Sequence, residues 1–87
     1  MAFEISNLYE QMVTELVTSR YGAADGMDQE TLEDIACVAL NHLPARYYHH
    51  RVDLVYYLDA QERAELEQRV DGAVGAAHQF VLEHRNR

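Results

Sequence analysis

The 87-residue chain has no lysine and a single cysteine, Cys37. A lone cysteine excludes an intramolecular disulfide, and the absence of lysine excludes a lysine nucleophile. The sequence also lacks a nucleotide-binding loop, a paired-carboxylate signature and the residue order of a serine hydrolase. We therefore predict that the protein is not an enzyme. Cys37 stands inside an apolar helical run, which predicts that its thiol fills the core.

Long apolar segments are also missing. No run approaches the roughly 20 residues that a membrane-spanning helix needs. The chain does not open with a charged and then apolar signal segment, because Phe3 is followed directly by Glu4. These features predict a cytoplasmic protein with no membrane segment.

Positive charge is scarce. Seven arginines stand against 15 acidic residues, which gives a formal net charge of -8 at pH 7. Binding to a nucleic-acid polymer is driven by basic side chains that displace counterions from many phosphates, so the composition argues against it. A small anion can still bind to a local basic patch, because repulsion between exposed charges is screened over about 8 Å at physiological salt.

The length predicts one domain over residues 1–87, too small for a large enclosed active site. Chains of this size often gain buried surface by pairing, so a homodimer is the expected assembly.

A first helix is predicted between an N-cap at Ser6 or Asn7 and a stop at Gly22. The loop GAADGMD follows, with glycines suited to positive backbone angles. Apolar residues of this helix recur at steps of three and four: Leu8, Met12, Val13, Leu16, Val17 and Tyr21.

A second helix is predicted to start after Asp28 and to end near His42, because Pro44 lacks an amide donor and clashes with the preceding turn. Its apolar face holds Leu32, Ile35, Ala36, Ala39, Leu40 and Leu43.

A third helix is predicted from the acidic capping pair Asp59 and Glu62 to about Glu83. Its stripe comprises Leu66, Val70, Ala73, Val74, Ala77 and Val81, and small residues at Gly72, Ala73, Gly75, Ala76 and Ala77 predict a close helix crossing. The stretch PARYYHHRVDLVYYL between helices two and three favours an extended segment, with helical turns as the alternative. The fold class is therefore mostly α, with three main helices and a short extended segment.

The stretch ALNHLPARYYHHRVDL, residues 39–54, differs from the rest of the chain. It has no acidic residue between Leu40 and Asp53 but contains two arginines, three histidines and two tyrosines. Arginine offers a planar fork for phosphate or for the edge of guanine, and tyrosine offers a flat platform. These residues predict a site for an anionic ligand. An ordinary helix end with a surface arginine is the alternative, and packing alone explains Leu43 and Pro44.

Metal binding is a second alternative for the same stretch. His42, His49, His50 and Asp53 are all competent ligands. In an extended segment, however, adjacent His49 and His50 point to opposite faces, so at most one of them reaches a metal on that side. We predict no metal site.

The segment EDIACVALNHLPARYY resembles the signature of the late competence development protein ComFB family, an aspartate followed by ALNxLPPxY. The matching residues are Asp34, Ala39, Leu40, Asn41, Leu43, Pro44 and Tyr47 or Tyr48. Ala45 replaces the usual second proline. GMDQETLED stands where some relatives carry a cysteine cluster associated with zinc, so the resemblance lends no support to zinc here.

The resemblance implies a small, mostly helical, cytoplasmic homodimer that binds a cyclic dinucleotide, cyclic di-GMP or in some cases cyclic di-AMP, and signals to a downstream protein. Asp34 and Asn41 would then bind base or ribose groups, the arginines would bind phosphate or guanine, and a tyrosine would stack. The predicted ligand-binding residues are Asp34, Asn41, Leu43, Pro44, Arg46, Tyr47, Tyr48 and Arg51. The other hypothesis is a structural or adaptor homodimer whose basic loop docks an acidic partner.

Overall fold

A computed structural model describes residues 5–45, 47–48 and 58–84, with the two residues of 47–48 described by their backbone alone. Over these residues the chain forms β1 (Ser6–Asn7), α1 (Leu8–Tyr21), α2 (Gln29–Asn41), β2 (Tyr47–Tyr48) and α3 (Ala60–His84). This order confirms a mostly helical domain with three main helices.

Helix α1 begins and ends at the predicted residues. The Asn7 side chain accepts a hydrogen bond from the Tyr9 amide at 3.2 Å, which makes Asn7 the N-cap. Gly22 ends the helix and donates its amide to the Thr18 carbonyl at 2.9 Å. Its φ of -61° is ordinary, so the glycine is needed for space: an added Cβ would overlap the Thr18 carbonyl oxygen. The positive angle predicted for this loop occurs at Gly26, where φ is 79°.

Helix α2 is also bounded as predicted. The Asp28 carboxylate accepts a hydrogen bond from the Thr31 amide at 2.8 Å, and His42 is the C-cap residue. The His42 amide still donates to the Ala39 carbonyl at 3.1 Å, and Pro44 follows two residues later. In α3 the Glu62 amide donates to the Asp59 carboxylate at 2.7 Å, and the helix ends at His84, one residue beyond the predicted end.

The extended segment predicted after Pro44 is confirmed at β2. This strand pairs antiparallel with β1, in the register Ser6 with Tyr48 and Asn7 with Tyr47. The rest of that segment, Arg46 and residues 49–57, lies outside the described residues. Strand β1 was not predicted, because two residues are too few to establish an alternating pattern. The pairing fixes the exit of α2 to the start of α1.

The core lies where α1, α2 and α3 pack against one another. Helix α3 contributes its whole predicted stripe, with only Ala73 partly exposed. In α1 the central residues recur every four positions and begin with Tyr9, which the sequence analysis missed. The neighbouring Leu8, Met12 and Leu16 lie at the margin of the core. The buried hydrophobic residues are Tyr9, Val13, Val17, Ile35, Ala39, Leu66, Val70, Val74, Ala77 and Val81.

The prediction that Cys37 fills the core is wrong, because its side chain is exposed. The buried residues of α2 are Thr31, Ile35 and Ala39, again four residues apart. Cys37 is two residues from both Ile35 and Ala39, which corresponds to a rotation of about 200° around the helix. The thiol therefore lies off the core stripe, on the exposed surface of α2.

The close crossing predicted at the small residues of α3 does not occur at the glycines. A Cβ added at Gly72 or Gly75 would meet no heavy atom within 4 Å. Ala77, in contrast, is buried, and Ala73 packs at the edge of the core. Among the residues that the structure describes, the alanines therefore make the contact and the glycines do not.

Replacing Gly75 with alanine is therefore expected to raise the free energy of unfolding by about 0.5–1 kcal/mol, because it removes backbone entropy from the unfolded state without a steric conflict. Gly22→Ala is the matched control and is expected to lower the same free energy, since its Cβ meets Thr18. Urea unfolding followed by circular dichroism measures both. A destabilised Gly75→Ala variant would show that another backbone does approach this position.

Candidate ligand site on the exposed face of α2

Two predicted ligand residues lie on one face of α2. Asp34 and Asn41 are both exposed and are seven residues apart, which is two helical turns and a rise of about 10.5 Å. The carboxylate can only accept hydrogen bonds, whereas the amide both donates and accepts. This face therefore offers two polar groups at a separation that suits a ligand longer than one base.

The residues that follow Asn41 position the chain as it leaves α2. Leu43 is half-buried and packs against the core, and its amide donates to the Leu40 carbonyl at 3.3 Å. Pro44 and Ala45 are exposed. Leu43 therefore anchors the exit of the helix, and Pro44 is accessible for contact with a ligand.

The remaining predicted ligand residues fall at the edge of the described chain. The backbone of Tyr47 and Tyr48 forms β2, which places both residues beside the start of α1. Arg46 and Arg51 lie outside the described residues. Their role in phosphate recognition stays a prediction.

A cavity of about 270 Å³ lies next to Asp34, between α2 and the end of α3. Phe80 is 48% exposed there, an unusual degree for a large apolar side chain. The Phe80 ring stacks on the His84 ring with centroids 4.0 Å apart and an interplanar angle of 24°. The His84 Nδ1 atom lies 2.7 Å from the Phe80 carbonyl oxygen, which fixes the imidazole. The lining residues are Asp34, Cys37, Val38, Phe80, Val81 and His84.

The sequence analysis missed Phe80 and His84. The available signal was the position of Phe80 immediately before Val81, off the core stripe of α3, because a large aromatic residue off the stripe of an amphipathic helix faces solvent. No sequence pattern places Phe80 and Asp34 in the same cavity, since that arrangement depends on how α3 packs against α2.

This arrangement combines an exposed aromatic ring with a carboxylate. Aromatic rings stack on nucleobases, and stacking of this kind is worth about 1–3 kcal/mol per base. A carboxylate accepts hydrogen bonds from the N–H groups at the edge of a base. The cavity can therefore hold a flat heterocycle that carries hydrogen-bond donors.

Metal ligands do not cluster in the part of the chain that the structure describes. No group of three or more histidine, cysteine, aspartate or glutamate residues there could hold an ion. The His42 Nδ1 atom lies 2.9 Å from the Val38 carbonyl oxygen, so this imidazole interacts with the last turn of its own helix. His49, His50 and Asp53 lie outside the described residues.

No helix over the described ranges has both the length and the hydropathy of a membrane-spanning segment. Searches among curated proteins and among solved structures gave no match. The family model described as "Late competence development protein ComFB" matches residues 6–85. That match covers all three helices and both strands, including the α2 signature and its exit. The chain therefore belongs to the late competence development protein ComFB family.

Proposed function

We propose that the protein is a non-enzymatic receptor for a cyclic dinucleotide, with cyclic di-GMP favoured over cyclic di-AMP. The receptor acts as a homodimer and passes the signal to a protein partner. The observation that carries this proposal is the cavity lined by both the exposed Phe80 and Asp34. It lies on the face of α2 that also holds Asn41.

The cavity is large enough for one part of a cyclic dinucleotide but not for the whole molecule. Pockets that enclose a whole drug-sized molecule measure roughly 300–1,000 Å³, whereas this one measures about 270 Å³. It therefore accepts one base of a cyclic dinucleotide. The sugar and phosphate groups then extend toward Asn41 and Pro44. Arg46 and Arg51, which lie outside the described residues, are proposed from the sequence to supply the positive charge that phosphates need.

Asp34 favours guanine over adenine. The Watson–Crick edge of guanine presents two adjacent donors, the N1–H and N2–H groups, which a carboxylate can accept together. Adenine presents only its exocyclic N6–H donor on that edge. A base stacked on Phe80 with its edge at Asp34 therefore binds more strongly when it is guanine.

Among the described residues, this cavity contains no nucleophile that is hydrogen-bonded to a general base. Cys37 and His84 both line it, but among the described residues no hydrogen bond joins the thiol to the imidazole. An activated cysteine needs that contact.

Phe80→Ala is expected to weaken binding of cyclic di-GMP by about fivefold or more, because it removes a stacking contact worth about 1–3 kcal/mol. Calorimetric titration of the variant and the parent protein measures the loss. Ile5→Ala is the matched control, since Ile5 is 59% exposed and outside the cavity. Equal affinities for Phe80→Ala and the parent protein would exclude the cavity as the base site.

The alternative is a structural or adaptor homodimer. Its specific support is the basic character of residues 42–51 in an acidic chain, which suits an acidic protein partner. On that alternative no purified nucleotide binds specifically.

A further inference from the structure

A second concave surface lies on another side of the domain, between α1 and α3. We call it the α1–α3 groove, and its volume is about 810 Å³. None of its lining residues belongs to the proposed nucleotide site. The α1 wall is formed by Met12, Glu15, Leu16 and Ser19.

On both helices, most of the residues that line the groove are three or four positions apart. Each helix therefore presents one stripe of side chains about two turns long. Met12 and Leu16 make the floor apolar, together with Val70. The α3 residues are Ala64, Glu67, Gln68, Val70, Asp71 and Gly72.

The rim of the groove is acidic. It carries Glu15, Glu67 and Asp71, and none of the described residues that line it is basic. Arg20 lies beside the groove and donates a hydrogen bond to the Asp71 carboxylate. The hydrogen bond with Asp71, followed by one with Tyr21, raises the pKa of the Arg20 guanidinium, so Arg20 stays charged. Glu15 on α1 and Glu67 on α3 form no ion pair with a described residue, and they flank the apolar floor.

The acidic rim favours a basic binding partner over a second copy of this acidic chain. A second copy of the chain, related by a two-fold axis, would bring acidic rim against acidic rim, and like charges across an interface are unfavourable. A helix with an apolar stripe and basic flanks, in contrast, complements both the floor and the rim.

We propose that the α1–α3 groove docks a basic amphipathic helix of a partner protein. The apolar stripe of that helix packs on Met12 and Leu16, and its basic flanks face Glu15 and Glu67. The groove is lined by both helices over about two turns of each. This interaction is separate from nucleotide binding and is tested in the absence of nucleotide.

The test uses a synthetic helical peptide of about four turns, with leucines spaced i, i+3, i+4 and i+7 and arginines on both flanks. Fluorescence anisotropy measures its binding to the full-length protein. The double variant Glu15→Gln and Glu67→Gln is expected to weaken binding by at least about fivefold. Raising the salt concentration is expected to weaken it further, because exposed charges are screened.

The matched control is the double variant Glu65→Gln and Glu83→Gln. Each of these glutamates is exposed, lies outside the groove and accepts a hydrogen bond from a glutamine four residues earlier, as Glu15 does. The control has the same net charge as the test variant and is expected to bind the peptide as the parent protein does.

Two results would overturn the proposal. The first is failure of the basic peptide to bind, or equal losses in the two double variants, which would show only general attraction to an acidic protein. The second is a groove filled by another copy of the chain. In that case the groove variant changes self-association in sedimentation experiments and the peptide does not bind.

Discussion

Replacing Ile35 with alanine is expected to lower the free energy of unfolding by about 2–5 kcal/mol. Ile35 is fully buried on the core face of α2, between the helices that pack on either side. The truncation removes apolar contacts and leaves a cavity that a small core cannot refill. Domains of this kind are stable by only about 5–15 kcal/mol, so the loss is a large share of the total.

Cys37→Ala is the control for this measurement. Cys37 lies on the same helix but is exposed, so its truncation is expected to change the free energy of unfolding by no more than about 0.5 kcal/mol. Urea unfolding followed by circular dichroism compares the two variants. A loss at Cys37 equal to that at Ile35 would show that α2 is rotated about its axis and that the thiol is in the core.

Arg46→Ala is expected to weaken the binding of cyclic di-GMP at least tenfold, which corresponds to about 1.4 kcal/mol. A guanidinium makes charge-assisted hydrogen bonds to a phosphate or to the edge of a guanine, and alanine makes neither. Calorimetric titration at physiological salt measures the loss, and circular dichroism checks that the variant is folded.

Arg69→Ala is the matched control for Arg46→Ala. Arg69 is exposed on α3 and does not line the Phe80 cavity, so its removal changes the net charge equally. Its affinity is expected to match that of the parent protein. An unchanged affinity in Arg46→Ala would remove Arg46 from the site, and equal losses in both variants would assign the effect to net charge.

The ends of the helices were predictable because their signals are local. Asn7, Asp28 and Asp59 each accept a hydrogen bond from an amide two or three residues later, so sequence spacing alone identifies them. Gly22 and Pro44 act through the preceding turn of their own helix in the same way. The match of the family model to residues 6–85 likewise confirms a resemblance carried by one short segment.

The direction of each helix face was harder to predict. The sequence does not show which way the side chain of an apolar residue in a helical run points. For this reason Cys37 was assigned to the core and the buried Tyr9 was overlooked. The stripes at Tyr9, Val13 and Val17, and at Thr31, Ile35 and Ala39, are defined by the packing of three helices. That packing is a tertiary property that overrides the local pattern.

Part of the candidate site could be predicted from the sequence, and part of it could not. Asp34, Asn41 and Pro44 were identified from the signature, and the structure places the first two on one exposed face. Their aromatic neighbour, Phe80, is 46 residues beyond Asp34 in the chain, and only the approach of α3 to α2 brings the two together. The candidate site therefore combines a sequence motif with a residue that only the packing of α3 against α2 brings to the same cavity.

The most direct test of the receptor proposal is isothermal titration calorimetry of the purified protein with cyclic di-GMP and cyclic di-AMP, with GTP and ATP as linear controls at physiological salt. The account predicts saturable binding of cyclic di-GMP at micromolar or tighter affinity, weaker binding of cyclic di-AMP, and no comparable binding of the linear nucleotides. The stoichiometry then gives the number of ligands per protein chain. The absence of heat for both cyclic dinucleotides, confirmed by an equally silent thermal-shift measurement, would contradict the account and favour an adaptor.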